Sequence, residues 1–350
     1  MRWQHEFHLT RRELLHTGGV LSLGAVVSGL SWAADASRWP AEPVDLSTLR
    51  HIADVAGPEG PSLLPDGSVA TVEYSKGIVI RVQADGTKDV LAHTGKAPVG
   101  TAVGLDGKLY VVKLNPAAMA KIMAAMPRPP GGGGGGGPPP GPQEDSPGAV
   151  LRIDLQTKQL TTLYKTYEGR PLPGPDDIVV DRLGDLWFTD FGTHCVYWAR
   201  TDGSEIRRVI DNVPDVNGIA LSPDKSTLYI NAKRNVVSYE IESRGRLRQK
   251  NGQAAQRLVG DWPEGMEMPD GLRMEGGGNL LGGCGRDGLI VMSPQGKILS
   301  QTRLPGIEPV NMAFGGSDLR TLYVAGAGPL GRDHGKFISI RWPRPGAKLF

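Results

Sequence analysis

Apolar residues along this chain gather in short runs, and the runs stop at clusters of Gly, Asp, Asn or Pro. That pattern predicts many short strands joined by tight turns. One phrase recurs: a short apolar strand, an Asp/Gly turn, then a second apolar strand that often contains Leu-Tyr or Leu-Trp. The second strands begin at Val69 (VATVEY), Leu109 (LYVVKL), Leu186 (LWFTDF), Leu228 (LYINAK), Leu280 (LLGGCG) and Leu322 (LYVAGA), with spacings of 40, 77, 42, 52 and 42 residues. Taking the 33 residues from Asn115 to Pro147 out of the long interval leaves 44. Six units of about forty residues, each with room for four strands, predict an all-β, six-bladed propeller. Third strands fit at 77–82, 149–154, 195–200, 236–241, 288–293 and 337–342, and fourth strands at 159–164 and 298–303. The last unit has no fourth strand after Trp342, so an N-terminal strand near Leu49–Val55 is expected to close the ring and remove its open edge. The helical pattern that a βαβ fold needs is missing between these strands.

Two segments break the rhythm. Residues 115–147 form an insert whose first part places Met119, Ile122, Met123 and Met126 at helical spacing, followed by seven glycines and a proline cluster. An apolar helix on a flexible tether is expected there, with a lid over one end of the channel as its candidate role. The first 36 residues read as an address: Thr10-Arg11-Arg12-Glu13-Leu14-Leu15 is a twin-arginine pattern, a weakly apolar run follows, and Ala34-Asp35-Ala36 offers a cleavage site. Residues 37–350 are then the propeller, and the twin-arginine export machinery is an expected partner. The mature chain is expected in the periplasm, or secreted, with no membrane anchor after cleavage. The 39 basic and 37 acidic residues leave a net charge of +2, which gives no electrostatic footprint for nucleic acid. Two cysteines, Cys195 and Cys284, are too few for a disulfide framework and lack metal spacing.

Chemistry enters with the register of the innermost strands. Glu59, Val99, Asn217 and Asn311 each stand seven residues before an Asp, and Asp176 and Asp270 occupy the same register in the third and fifth units. Five of these six positions are oxygen donors and three are carboxylates. Carboxylates converging on one axis repel each other unless a cation neutralises them. An all-oxygen set without His or Cys points to Ca²⁺, with Mg²⁺, Mn²⁺ or Zn²⁺ as alternatives. Asp or Asn before Gly is also a good turn residue, which accounts for Asn217-Gly218 and Asp270-Gly271 but not for Glu59 or Asp176-Asp177. If the first strands start at this mouth, the loops after the second strands lie on the same face. Those loops carry Glu73 and Tyr74, Lys113, Asp190 to His194, Arg234, Arg286 and Asp287, and Arg332 to His334. Lys113, Arg234, Arg286 and Asn311 are the candidate substrate contacts, and His194 is a candidate acid or base. Nucleophile-elbow, zincin and P-loop motifs are absent from the sequence.

Four stretches carry a resemblance: Pro173–Gly192 (PGPDDIVVDRLGDLWFTDFG), Val216–Asp224 (VNGIALSPD), Pro269–Leu272 (PDGL) and Asn311–Val324 (NMAFGGSDLRTLYV). They resemble the senescence-marker-protein/gluconolactonase family of calcium-dependent lactonases. The resemblance implies six blades, hydrolysis of a lactone or related ester, and a divalent ion held by Glu59, Asp176, Asn217 and Asp270. It also implies Asp270 as the base; Asp177 and His194 are our own candidates for sharing proton transfer. Gly174 stands where sugar-lactone members often carry Arg, which points away from an aldonolactone. Two other functions remain open on this scaffold: a lyase acting on a cyclic depsipeptide, and a non-catalytic ligand-binding propeller.

Overall fold

The protein is described here by a computed structural model, in which residues 43–125 and 146–348 are placed. The expected export segment, residues 1–36, and the Gly/Pro-rich stretch of the insert lie outside the described residues. Six antiparallel sheets follow one another along the chain. Blade 1 is Pro58–Leu63, Val69–Glu73, Ile78–Val82 and Lys88–His93; blade 2 is Pro98–Val103, Leu109–Lys113, Ala149–Ile153 and Leu160–Tyr164. Blade 3 is Pro175–Val180, Leu186–Asp190, Cys195–Ala199 and Ile206–Ile210; blade 4 is Val216–Leu221, Thr227–Ala232, Asn235–Ser243 and Gln256–Asp261. Blade 5 is Leu272–Met274, Leu280–Gly283, Leu289–Met292 and Ile298–Thr302. Blade 6 takes three strands from the end of the chain, Glu308–Gly315, Thr321–Gly328 and Gly331–Arg341, and its fourth, Arg50–Val55, from the beginning. The expected ring closure is therefore present. The 52-residue interval is explained by extra short strands, Arg246–Leu247 and the Gln249–Lys250/Gln253–Ala254 pair, set between the third and fourth strands of blade 4.

Packing explains why the second strands read as unbroken apolar runs. A blade is covered on both faces by its neighbours, so both sets of alternating side chains must be apolar. In Leu186-Trp187-Phe188, Leu186 and Phe188 pack toward blade 2 with Tyr110 and Val112, while Trp187 packs toward blade 4 with Ile219 and Leu228. The same division produces one buried cluster at each of the six blade interfaces. Replacing fully buried Trp187 by Ala costs about 3–5 kcal/mol on the usual scale for large core truncations.

The last hairpin departs from expectation. Arg332 to His334 lie inside a strand rather than a loop, because Gly328 still pairs with Gly331 and the turn is only Pro329-Leu330. Gly335 makes this extension possible: a Cβ there would stand 2.1 Å from Pro58 Cδ. The insert begins as expected with a helix, Pro116–Ala125, whose N-terminus is capped by Asn115 Oδ1 accepting from Ala118 N–H at 3.0 Å. Met119 is buried in the cluster between blades 2 and 3. Met126 lies outside the described residues. Among those residues no helix is long and apolar enough to cross a membrane.

Candidate functional site at the channel mouth

The innermost strands share one irregularity, and it lies where the polar register falls. The ladder with the second strand slips between Glu59 and Ser62, Pro98 and Thr101, Pro175 and Ile178, Val216 and Ile219, and Pro309 and Asn311. Such bulges bend a strand and re-aim a side chain. In blade 5 the equivalent residue, Asp270, precedes the strand altogether. Its backbone is fixed by Gly218 N–H and Asn231 Nδ2 donating to its carbonyl at 3.1 and 3.0 Å, and by its own N–H donating to the Gly283 carbonyl. Asn231 is fully buried and accepts from Trp262 Nε1 at 3.2 Å, so a blade 4 side chain sets the position of a blade 5 carboxylate.

The glycines after four of the register residues, Gly60, Gly100, Gly218 and Gly271, serve the axis: a Cβ on any of them would meet the next blade. A Cβ on Gly218 would stand 2.4 Å from the Asp270 carbonyl oxygen, and one on Gly271 would stand 2.3 Å from Asn311 Cγ. Each glycine lets the site residue of the next blade come close. Blade 3 has Asp177 in the corresponding place. Asp177 is buried, and its Oδ2 accepts from Ile219 N–H and Arg273 Nη1, both at 3.2 Å. It therefore ties blades 3, 4 and 5 together beneath the mouth.

The register brings Glu59, Asp176 and Asp270 into one electrostatic group. Burial, followed by the charge of Asp270, pushes the Glu59 carboxyl up to about 8. Burial, Asp270 and Glu59 hold Asp176 well above the ordinary carboxylate range, and burial with Asp177 raises Asp270. One cation opposes them. Arg332 places Nη2 at 2.5 Å from Glu59 Oε1 and 3.6 Å from Asp270 Oδ2. In the sequence Arg332 is one of many charged residues expected in loops. Its link to Glu59 spans 273 positions and depends on a hairpin longer than its counterparts, which local spacing does not reveal.

The other candidates are placed as follows. Asn311 is buried beside Gly271 with its Oδ1 accepting from Met312 N–H at 2.9 Å, and Val99 joins the apolar cluster between blades 2 and 3. Lys113 is buried, and its ammonium donates to the Thr94 carbonyl and Ser146 Oγ at 3.1 and 2.7 Å, fastening the returning end of the insert. Arg234 donates to the Pro263 and Met266 carbonyls, and Arg286 pairs with Glu267 at 2.5 Å. These three basic residues brace the rim. The His194 ring lies against Phe191, with centroids 6.1 Å apart, and its Nδ1 is buried without a partner.

The donor set suits a hard cation in one respect that the fold leaves open. Asn217 Oδ1 is buried with no hydrogen-bond partner, and folding seldom leaves such an acceptor unsatisfied. With the raised carboxylates beside it, this oxygen fits an oxygen-ligated divalent ion. Among the described residues, no three acid, imidazole or thiol groups stand close enough to hold an ion by themselves. In this geometry the carboxylates are spread around the Arg332 guanidinium.

A closed ring of six four-stranded blades with an oxygen-lined mouth defines the class of protein. The sequence then places the chain within it: residues 57–328 match the family described as the SMP-30/Gluconolactonase/LRE-like region, and the chain belongs to that family. A gluconolactonase from Zymomonas mobilis is 25% identical over 207 residues, covering 51% of this chain and 54% of the relative. The chain spans about half the length of the curated relatives it matches first. Among solved structures, a gluconolactonase from Xanthomonas campestris aligns with a TM-score of 0.63 at 23% identity, over 85% of this chain and 89% of that one. Regucalcin from Agrobacterium tumefaciens, a calcium-binding protein, aligns with a TM-score of 0.61 at 17% identity, over 85% and 95%. At these identities the structural matches speak for the fold.

Proposed function

We propose that this protein hydrolyses a lactone or related ester at the channel mouth, in the presence of a divalent cation, with calcium as the preferred ion. The observation that carries the reading is the buried, unsatisfied Oδ1 of Asn217, whose side chain reaches Asp270, at a mouth where burial and mutual repulsion suppress the acidity of Glu59, Asp176 and Asp270. Glu59, Asp176, Asn217 and Asp270 would hold the ion, which when bound supplies polarisation of the ester carbonyl. The names of the relatives supply the substrate class: a gluconolactonase and a lactonohydrolase among curated proteins.

Asp270 is the proton acceptor in this reading. Its side chain is 35% exposed, against 7% for Glu59, so water reaches it at the mouth. A carboxylate held beside the water can take its proton as the oxygen adds. Water adds its oxygen to the acyl carbon and gives a proton to Asp270; the acyl C–O bond breaks, and the ring oxygen takes the proton back. Asp177 positions rather than transfers protons, because its Oδ2 is committed to Arg273 and Ile219. Export through the twin-arginine route would place this reaction in the periplasm, and the helix Pro116–Ala125 would shield one shoulder of the mouth.

Reaction in ¹⁸O-water tests the hydrolytic step. One labelled oxygen in the product carboxylate is expected. An unsaturated product without label would mean lyase chemistry, and no turnover across a panel of lactones and aryl esters would mean a binding protein.

A further inference from the structure

The cation that sits among these carboxylates belongs to the chain itself. Arg332 is carried over the mouth by the extended last hairpin, and its carbonyl is anchored by Gly57 N–H at 2.9 Å. Beside it Asp333 accepts from Ser75 Oγ, so the backbone that bears the guanidinium is tied to blade 1 on both counts. From this root Nη2 touches Glu59 and lies 3.6 Å from Asp270, two of the four residues that would hold a divalent ion. The Arg332 side chain is 30% exposed and that of Glu59 7%, so of this pair the arginine is the partner with the greater access to solvent.

A guanidinium in this place and a divalent ion on the same oxygens exclude each other. Charges of +1 and +2 only a few ångströms apart repel strongly in a partly desolvated mouth. We infer that Arg332 is an exchangeable counter-ion: it holds Glu59 and Asp270 in the metal-free protein and gives them up when a divalent cation is seated. Arg332 then sets the affinity of the site, because every ion bound must displace it. The inference rests on the metal reading above and adds to it a residue that opposes metal binding.

Calorimetric titration of Ca²⁺ into the chelator-stripped protein tests it, with thermal melting of the same samples. Arg332→Gln is expected to bind Ca²⁺ at least tenfold more tightly than the parent, and Arg332→Lys, which keeps the charge, to stay within about threefold of it. Without ion, Arg332→Gln should melt lower than the parent, because Glu59 loses its partner, and it should gain more in melting temperature when Ca²⁺ is added. A variant that folds only with Ca²⁺, or that binds Ca²⁺ where the parent does not, gives the same support. Equal or weaker affinity in Arg332→Gln, with the parent binding, would refute the exchange and leave the metal reading standing. Absence of uptake by all three proteins would overturn both.

Discussion

The two ends of the channel each bury a glutamate, and they treat it in opposite ways. At the mouth, Glu59 has one guanidinium, Arg332, and its own neighbour's Gly60 N–H, while Asp270 and Asp177 repel it, and its pKa rises to about 8. At the far end, Glu275 follows the first strand of blade 5 and has no exposed surface. Glu275 accepts from Arg344 Nε at 2.6 Å, Trp342 Nε1 at 2.7 Å and Asn279 Nδ2 at 2.9 Å. The C-terminal segment that brings Arg344 is itself stitched down, with Gly346 N–H donating to Leu319 and Ala347 N–H to Met274. Above it lies an apolar cavity of about 100 Å³ lined by residues such as Val103, Val180, Leu221 and Phe314. Both glutamates are buried, so burial alone does not mark a site. The far end satisfies every need of its carboxylate and works as a fastener, whereas the mouth leaves charge uncompensated and keeps it available for a ligand.

Substitutions should separate these roles. The largest effect is expected from Asp270→Asn at the mouth, where turnover of any accepted lactone falls by roughly a thousandfold while the protein stays folded. A loss of folding in parallel with activity would erase the contrast. Arg344→Ala at the far end should do the reverse: leaving Glu275 buried without its cation costs about 3–5 kcal/mol in urea unfolding, while kcat of the folded fraction stays that of the parent. Asp190, at the end of the second strand of blade 3, extends the comparison to pH. It is fully buried with Oδ2 unpartnered, and burial raises its pKa to about 6. A carboxyl raised on folding stays protonated longer in the native state, so its stabilising contribution is complete below about pH 4 and is lost as pH rises through 6. Asp190→Asn should remove a stability loss of about 2–3 kcal/mol across that window; an unchanged pH profile would show that Asp190 is satisfied by groups it does not touch here.

The architecture was readable because each feature that defines it is local. Strand periodicity, the Asp/Gly turn and the spacing of units expose six blades, and the missing last strand points to Leu49–Val55. The shared register of Glu59, Asp176, Asn217 and Asp270 was readable for the same reason: the first three fall at a bulge in the innermost strand, and Asp270 keeps the spacing although it precedes its strand. Side-chain partnership was not readable. Lys113, Arg234 and Arg286 carry the same charge as Arg332, yet they bind rim carbonyls, Ser146 or Glu267, and only contacts across distant segments distinguish them. Asp177 next to Asp176 looks like a partner in proton transfer until the Ile219 N–H and Arg273 are seen to claim it. Asn231 gives no signal at all, because its role is to hold a carbonyl 39 positions away.

The most direct test of the site as a metal-assisted esterase is the rate of lactone opening, followed by pH-stat, in calcium and then in excess EDTA. Turnover that disappears with the chelator and returns when calcium is restored is the predicted result. Undiminished turnover in EDTA would contradict it.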